Sequence, residues 1–240
     1  MTVLSPPAST LDVSLDWSLR WWETDAECTL VVSQPSLEPD LWSRYGAGAE
    51  ESYRSHGVEC ALDVEALRSG ADTAMFMAVL DTNDDMLGGV RAIGPLTAPE
   101  DSHAVVEWAG QPGERAVTKM IADRVPYGVL EMKSAWVADD ARGGKAVTDA
   151  LARSGFSMMA LLGVQFCMAT AAAYVLNRWR SSGGVVAPIP AAAYPDHRYQ
   201  TKMIWWDRCD FIRYAQPGQA AKIITESADL PRTDRALALR

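Results

Sequence analysis

The distribution of apolar and polar residues predicts alternating strands and helices along this chain. Residues 129–137 alternate with the period of two that a β-strand requires, and the glycine pair Gly143-Gly144 follows a short acidic step. From Ala146 the apolar residues recur at the spacing of a helix. The order of strand, glycine-rich loop and helix is the most informative pattern in the sequence. One face of the strand is predicted to carry Val129, Glu131, Lys133, Ala135 and Val137, and the other face Leu130, Met132, Ser134 and Trp136.

The same patterns predict the remaining elements. Polar residues at 81–85 separate two apolar runs, 73–81 and 86–93, which is typical of a hairpin. The other predicted strands are 28–33, 105–108, 164–170, 185–187 and 199–206. The other predicted helices are 36–56, 113–125, 171–181 and 219–227. The first of these helices is open to a break at Gly46 and Gly48. This mixture predicts an α/β fold with a single mixed, twisted central sheet flanked by helices. The predicted organisation is a flexible N-terminal arm over 1–16, one domain over 17–208 and a C-terminal tail over 209–240.

Length and charge narrow the classes of protein. With 240 residues and 48% hydrophobic composition, the chain is long enough to bury a sizeable core. A net charge of -9 argues against a nucleic-acid partner. Four scattered cysteines without a CxxC pair predict reduced thiols in a cytoplasmic protein and no metal site. Residues 154–176 carry no charge, and we interpret them as a buried helix end, a turn near Gly163 and a buried strand, not as a membrane span.

The glycine-rich loop is a candidate anion site. At the N-terminus of a helix, unpaired N–H groups and the positive end of the helix dipole favour an anion, and glycines let it approach the backbone. Arg142 and Lys145 add positive charge that suits a pyrophosphate. Neither a Walker A motif nor a GxGxxG motif is present, and a plain flexible connection is the alternative interpretation of this loop.

Residues 141–146, ARGGKA, resemble the pyrophosphate-binding loop of the GNAT acyltransferase superfamily, Arg/Gln-x-x-Gly-x-Gly/Ala, with alanine at the first position. Residues 179–184 lie where such enzymes usually have Tyr-x-x-x-Gly-Phe, with Trp179 in place of the tyrosine. The resemblance implies a GNAT-like fold with acyl-CoA or acetyl-CoA as co-substrate. The residues implied in binding it are Arg142, Gly143, Gly144, Lys145 and Ala146 at the pyrophosphate, and Trp136 and Val137 through main-chain hydrogen bonds to the pantetheine arm and the carbonyl oxygen.

Two strands resemble one branch of that superfamily, the acyl-homoserine lactone synthases and long-chain N-acyl amino acid synthases. Residues 88–91, GGVR, are similar to the strand of these enzymes that ends in arginine. Residues 131–134, EMKS, are similar to their Glu-Leu-Ser-Arg strand, with Ser134 in place of the arginine. In that branch the N-terminal region covers the substrate cleft. The resemblance therefore implies that residues of this region line the cleft; an amphipathic helix packed on the sheet is the alternative, and the candidates are Trp42, Arg44, Tyr45, Tyr53 and Arg54. Tyr45 and Arg91, the arginine that ends the first of these strands, are the implied substrate-binding residues.

Acyl transfer to an amine requires a neutral nucleophile and a polarised thioester carbonyl. Glu131 is the candidate base because partial burial would raise the pKa of its carboxyl group, and a structural ion pair is the alternative role. Tyr174 and Cys167 are the nearest proton donors for the leaving thiolate, and the three histidines are expected at the surface. Because no GxSxG motif is present, direct attack by the amine is preferred.

The sequence therefore predicts an N-acyltransferase that moves an acyl group from acyl-CoA or an acyl-carrier protein to a small-molecule amine. Two alternatives stay open. One is an autoinducer-synthase-like enzyme that uses long acyl chains, and the other is an inactive acyl-CoA-binding or regulatory domain. Assembly as a homodimer is also left open.

Overall fold

The computed structural model describes residues 14–139, 141 and 143–230, and the rest of the predicted arm and tail lies outside these residues. Its strands are β1 (Leu19–Glu23), β2 (Cys28–Ser33), β3 (Thr73–Leu80), β4 (Met86–Ile93), β5 (Val129–Val137), β6 (Phe166–Ala172), β7 (Val185–Val186) and β8 (Thr201–Asp207). Its helices are α1 (Pro39–Ser55), α2 (Val64–Ser69), α3 (His103–Glu107), α4 (Glu114–Ala122), α5 (Gly144–Leu162), α6 (Leu176–Trp179) and α7 (Pro217–Asp229). Strands β2, β4 and β5 have the predicted bounds.

The strands form one open, eight-stranded sheet in the order β1-β2-β3-β4-β5-β6-β8-β7. Adjacent strands are antiparallel except β5 and β6, which are parallel because α5 crosses over between them. The parallel ladder is short, since it pairs only Val129–Met132 with Phe166–Ala169 among the described residues. The predicted mixed central sheet flanked by helices is confirmed.

Helices cover both faces of the sheet because each strand alternates its side chains between two sides. Helices α5 and α7 pack on one side, here called the α5 face, over a core that includes Leu130 and Cys167. Helices α1 and α2 pack on the other side, the α1 face, and α3 and α4 cover the same face beside β6 and β8. The close fit of α1 requires glycine at position 48, because a Cβ there would lie 2.0 Å from the Trp136 ring.

Strand β5 contains a bulge that the alternation of the sequence does not show. Between two of its pairs with β4, β5 has one residue more than its partner, and Ser134 has a positive φ of 52°. The Tyr45 hydroxyl of α1 donates a 2.8 Å hydrogen bond to the Ser134 carbonyl and supports this conformation. An extra residue of this kind reverses the alternation of the strand beyond it.

The prediction that Ala135 and Val137 share a face with Glu131 is therefore wrong. Ala135 and Val137 pack on the α5 face, together with Met132. Trp136 instead packs on the α1 face against α1. The bulge thus changes which side chains of β5 meet each helical layer.

The predicted strand 105–108 is also wrong, because residues 105–107 belong to helix α3 and Trp108 is its C-cap. The Ser102 hydroxyl caps the helix by accepting a hydrogen bond from the Ala104 N–H at 3.2 Å. The helix is only five residues long, so its apolar residues do not complete two turns. In a segment this short, the spacing of apolar residues does not distinguish a strand from a helix.

Two predicted helices have different lengths in the structure. The helix predicted over 171–181 begins later, because β6 pairs with β8 as far as Ala172 and only the one-turn α6 and the 3-10 turn Arg180–Ser182 follow. Helix α1 runs without a break through Gly46 and Gly48. Tertiary packing on the sheet outweighs the low helix propensity of these glycines.

The segment after β8 contributes to the same core. Helix α7 contains the predicted helix 219–227 and packs against α5. The buried Arg153 of α5 places Nη2 3.2 Å from Glu23 Oε1 of β1 and 2.8 Å from Glu226 Oε1 of α7. A buried ion-pair network therefore joins three elements that are far apart in the sequence.

Candidate active site

Strands β5 and β6 diverge beyond their short ladder and leave a cavity between them. The last paired residues are Met132 and Ala169, and residues of both strands beyond this pair line a cavity of about 600 Å³. Residues from the end of α1 line it on the α1 face, and residues of α5 line it on the α5 face. The cavity therefore passes through the plane of the sheet and joins two lobes.

The lobe on the α5 face is largely apolar. Its lining residues include Met132, Leu151, Gly155, Phe156, Cys167 and Trp206. Glycine at position 155 lets α5 approach β6, because a Cβ there would lie 2.9 Å from the Cys167 sulfur. Such a lobe favours an aliphatic chain and disfavours an unpaired charge.

The edge of β5 that faces away from β4 lines the cavity. Trp136 and Val137 are both lining residues, and in the described part of the chain β4 is their only neighbouring strand. Main-chain groups that point to this edge can therefore pair with a bound molecule. That Trp136 and Val137 bind a pantetheine arm in this way stays a prediction.

The glycine-rich loop lies one helical turn before the cavity. Gly143 has a φ of 69°, Gly144 begins α5, and a Cβ at either position would meet no described atom within 4 Å. Thr148, one turn later, lines the cavity. The N–H groups of Gly144 and Ala146 donate to the carbonyls of Ala141 and Gly143. The loop is open to a ligand, but an anion there would depend on side chains and on the other amides.

Of the two basic side chains predicted to bind the pyrophosphate, the structure describes Lys145 but not Arg142. Lys145 is 87% exposed, and its Nζ lies 2.6 Å from Asp149 Oδ2, so part of its charge is already neutralised. Arg142 lies outside the described residues. The assignment of residues 142–146 to the pyrophosphate therefore stays a prediction.

The lobe on the α1 face contains a buried cluster of charged groups. Glu107 is 3% exposed, and its Oε1 accepts hydrogen bonds from Thr170 Oγ1 at 2.8 Å and from Lys133 Nζ at 3.2 Å. His103 Nδ1 lies 3.0 Å from the same oxygen and 2.9 Å from Lys133 Nζ. One imidazole nitrogen cannot donate to Glu107 and accept from Lys133 at the same time. The protons of these three groups are therefore distributed between two alternative arrangements.

The pKa values in this cluster depend on burial and on the neighbouring charges. Burial alone would raise the pKa of Glu107, but the Lys133 ammonium and the hydrogen bonds from His103 and Thr170 hold that pKa below its usual value. Burial would lower the pKa of Lys133, yet Glu107 and Glu131 raise it. Burial raises the pKa of Glu131, against the attraction of Lys133 and with the help of the Glu107 charge. Glu107 and Lys133 are thus an ion pair beside a carboxyl group that holds its proton more tightly.

The candidate base Glu131 is fully buried behind this ion pair. Its Oε2 accepts a 2.9 Å hydrogen bond from the His103 N–H, and its Oε1 lies 3.9 Å from Lys133 Nζ. Glu107 and Lys133 line the cavity, whereas Glu131 is not among the lining residues. Its role as a base stays a prediction, and a proton from the cavity would reach it past Lys133.

Sequence reasoning missed His103 and Glu107 as site residues. His103 was expected on a surface loop, and Glu107 lay in the predicted strand 105–108. The signal that could have found them is the i, i+4 spacing of a histidine and a glutamate directly after Ser102, a residue suited to cap a helix.

The predicted acceptor residues Tyr45 and Arg91 lie in the core and do not line the cavity. The Tyr45 hydroxyl donates a hydrogen bond to the Ser134 carbonyl. Arg91 Nη1 donates to Asp72 and to Thr73 Oγ1. In this structure both side chains support the sheet, and contact with an acceptor stays a prediction. Tyr53, from the last turns of α1, does line the cavity.

The two predicted proton donors, Tyr174 and Cys167, both line the cavity. Tyr174 is 73% exposed, whereas Cys167 is buried. Burial raises the pKa of the Cys167 thiol, and the charge of Glu131 raises it further. This thiol therefore retains its proton strongly and is a poor acid.

Comparison with curated proteins identifies the family. The chain is 56% identical over 221 residues to proteins of Mycobacterium tuberculosis and Mycobacterium bovis that are described as uncharacterized. The alignment covers 92% of this chain and 84% of each relative. The chain belongs to the family of these mycobacterial proteins. No protein-family model matches it.

Two solved structures share the fold at low sequence identity. BjaI, a CoA-dependent acyl-homoserine lactone synthase solved with SAM and isopentyl-CoA, matches with a TM-score of 0.52 and 15% identity over 84% of this chain and 90% of its own. FeeM, an N-acyl amino acid synthase from uncultured soil microbes, matches with a TM-score of 0.51 and 12% identity over 80% and 98%. The predicted GNAT-like fold is confirmed. At these identities the likeness concerns the fold alone.

The described residues contain neither a metal-binding cluster nor a membrane-spanning helix. Among them, no cluster of three or more histidine, cysteine, aspartate or glutamate side chains could hold a metal ion. None of the helices in this part of the chain combines the length and the apolar character needed to cross a membrane.

Proposed function

We propose that the chain is an N-acyltransferase that moves an acyl group from a thioester donor, acyl-CoA or an acyl-carrier protein, to an amine by direct attack. The observation that carries the proposal is the cavity that joins an apolar lobe to a charged lobe across the free edge of β5. BjaI is a CoA-dependent synthase and FeeM an N-acyl amino acid synthase, so two proteins with this fold support the same class of reaction.

The donor would occupy the α5 face of the cavity. Its acyl chain fits the apolar lobe, and its pantetheine arm would pair with main-chain groups of β5 around Trp136 and Val137. The same edge would donate an N–H to the thioester oxygen, which polarises the carbonyl carbon. The phosphates would lie towards the glycine-rich loop, where Lys145 and the exposed cavity residue Arg178 supply positive charge.

The amine would enter from the charged lobe. Its nitrogen attacks the carbonyl carbon, a C–N bond forms, and the C–S bond breaks to release a thiolate. The ammonium proton passes to a carboxylate, for which Glu131 has the raised pKa that a base requires. The thiolate takes a proton from Tyr174 or from water, because the raised pKa of Cys167 makes its thiol a poor donor.

Thermal unfolding with a panel of acyl-CoAs, from acetyl to long-chain, tests the donor site. A ligand at 100 times its Kd stabilises the folded state by about 2.7 kcal/mol. For a domain of this size, that corresponds to a rise in Tm of roughly 5–10 °C. The chain length with the largest rise separates acetyl transfer from a long-chain, synthase-like reaction.

A variant that fills the cavity provides the matched control. Ala169→Phe places an aromatic ring in the lining and should abolish the rise in Tm, whereas Ala109→Phe, at an exposed position away from the cavity, should retain it. Release of free thiol in the presence of an amine mixture then measures turnover. Stabilisation without thiol release would favour an inactive acyl-CoA-binding domain, and no stabilisation by any acyl-CoA or acyl-carrier protein would refute the proposal.

A further inference from the structure

The carboxylate of Glu107 is satisfied at only one of its two oxygens. Oε1 lies within hydrogen-bond distance of Thr170, Lys133 and His103. Oε2 is buried and has no hydrogen-bond partner within the described part of the chain. A buried polar atom without a partner costs about 1–3 kcal/mol, and more when the group is charged. Because Glu107 lines the cavity, a bound molecule with an N–H donor can supply the missing partner.

The groups around the Glu107 carboxylate favour a bound cation over a bound anion. Two carboxyl groups, Glu107 and Glu131, surround one ammonium group, that of Lys133. Lys133 Nζ already lies 3.2 Å from Glu107, 3.9 Å from Glu131 and 2.9 Å from His103 Nδ1. A carboxylate on the acceptor would compete with two existing carboxyl groups for this single cation and would be repelled by the Glu107 charge.

The other basic side chains of the cavity lining, and Arg91 in the core behind it, do not change this preference. Arg178 lies on α6, which packs against α5 on the opposite face of the sheet. His56 Nδ1 lies 2.8 Å from the Ser52 carbonyl at the end of α1. Arg91, which could recognise a carboxylate, is 3% exposed and bonded to Asp72.

The charged lobe also has aromatic walls. Tyr53 and Tyr194 line it, and the Tyr194 ring packs edge-on against His103 with ring centroids 5.7 Å apart. Aromatic faces attract ammonium groups and accept apolar carbon. The hydroxyl groups of these tyrosines can donate to a carboxylate or to a neutral oxygen alike, so a carboxylate is disfavoured by the Glu107 charge and not by these rings.

We propose that the acceptor is a primary amine without a carboxylate beside its nitrogen, and that Glu107 Oε2 binds this nitrogen. The proposal rests on the acyltransferase function proposed above and names its acceptor class. It excludes free α-amino acids as the preferred substrates. Glu107 is then a substrate-binding residue, and the ion pair with Lys133 keeps it ionised and oriented for the incoming amine.

Pairs of compounds that differ only in one carboxylate test the acceptor class. Tyramine and tyrosine, phenethylamine and phenylalanine, and tryptamine and tryptophan form three such pairs. With the thioester that gives the largest rise in Tm, we expect the amine of at least one pair to release thiol with a kcat/KM at least about tenfold above that of its amino acid. Equal or greater activity with the amino acids would overturn the proposal, as would thiol release with no amine of the three pairs.

The Glu107→Gln variant tests the assigned residue. It retains the shape of the side chain and removes its charge, so KM for the amine should rise at least about tenfold while stabilisation by the thioester donor is unchanged. Glu100→Gln, at an exposed position in the 3-10 turn Pro99–Asp101, is the matched control. An unchanged KM and an unchanged preference for the amine would overturn the role of Glu107.

A double variant and the thermal test of thioester binding distinguish failure of the acceptor class from failure of the acyltransferase function. If Glu107→Gln does not fold, the double variant Glu107→Gln/Lys133→Gln removes the buried ammonium as well, and the amine-to-amino-acid ratio of kcat/KM should then fall towards one. If no thioester stabilises the wild-type protein, the acyltransferase function itself fails. If the thioester stabilises it but amino acids are preferred, only the acceptor class fails.

Discussion

Replacing Lys133 by methionine should show how the buried charge cluster is balanced. The Lys133 ammonium lies 3.2 Å from Glu107 and 3.9 Å from Glu131, and both carboxyl groups are buried. Lys133→Met keeps an apolar side chain but leaves the two carboxyl groups without their ammonium. Removing one partner of a buried ion pair costs about 3–5 kcal/mol. We therefore expect the free energy of unfolding to fall by about that amount at neutral to alkaline pH.

The loss should become smaller as the pH falls. In the wild-type protein the pKa of Glu107 is lowered, so its contribution to stability is present above the ordinary value of 4.5 and is lost as the pH falls through the folded-state pKa. Without Lys133, burial raises the pKa of both Glu107 and Glu131. The folded variant then binds more protons than its unfolded chain, so its stability falls as the pH rises above about 4.5.

Urea denaturation at about pH 5 and about pH 8 measures both effects. The difference between wild type and Lys133→Met should be larger at the higher pH, and Lys133→Met/Glu107→Gln should recover part of it. Lys119→Met is the control, because this lysine is 74% exposed in its pair with Asp123 and should change stability by less than about 1 kcal/mol. An equal loss at both pH values, or no recovery in the double variant, would refute the reasoning.

Two further predictions concern the contact between α1 and β5. Tyr45→Phe removes the hydrogen bond to the buried Ser134 carbonyl and should lower the free energy of unfolding by about 1–3 kcal/mol in urea denaturation; no measurable loss would count against the supporting role of Tyr45. Gly48→Ala should lower the Tm, because its Cβ would lie 2.0 Å from the Trp136 ring. Gly46→Ala is the matched control: its nearest contact would be an ordinary 3.8 Å, so it should raise the stability by up to about 1 kcal/mol. Equal shifts in Tm for the two variants would contradict this difference.

The strands that could be predicted from the sequence are those whose apolar run or alternation is complete within one short segment. Residues 28–33, 86–93 and 129–137 form strands with the predicted bounds, because apolar runs and alternation need no knowledge of distant partners. The turn at Gly163 and the helix over 219–227 were predicted for the same reason. Resemblance at the glycine-rich loop added the GNAT-like fold, which the pattern of elements alone would not have named.

The charged lobe could not be predicted in the same way. Its members come from α3, β5 and β6, and Glu107 meets Thr170 across 63 positions of sequence. The five residues of α3 provide too little periodicity to separate a helix from a strand, and its cap depends on a single hydroxyl. Ionisable residues were visible in the sequence, but their distances and burial depend on tertiary packing.

The bulge at Ser134 determines which side chains of β5 meet each lobe of the cavity. Lys133 lies before the bulge and Trp136 after it, and both face α1 although three positions separate them. Strict alternation would have placed them on opposite faces and would have turned Ala135 towards α1. Because of the extra residue, small Ala135 borders the apolar lobe while Lys133 remains in the charged lobe. The separation between a donor side and an acceptor side therefore depends on one residue whose conformation is supported by Tyr45 from a distant helix, which is where local sequence rules are expected to fail.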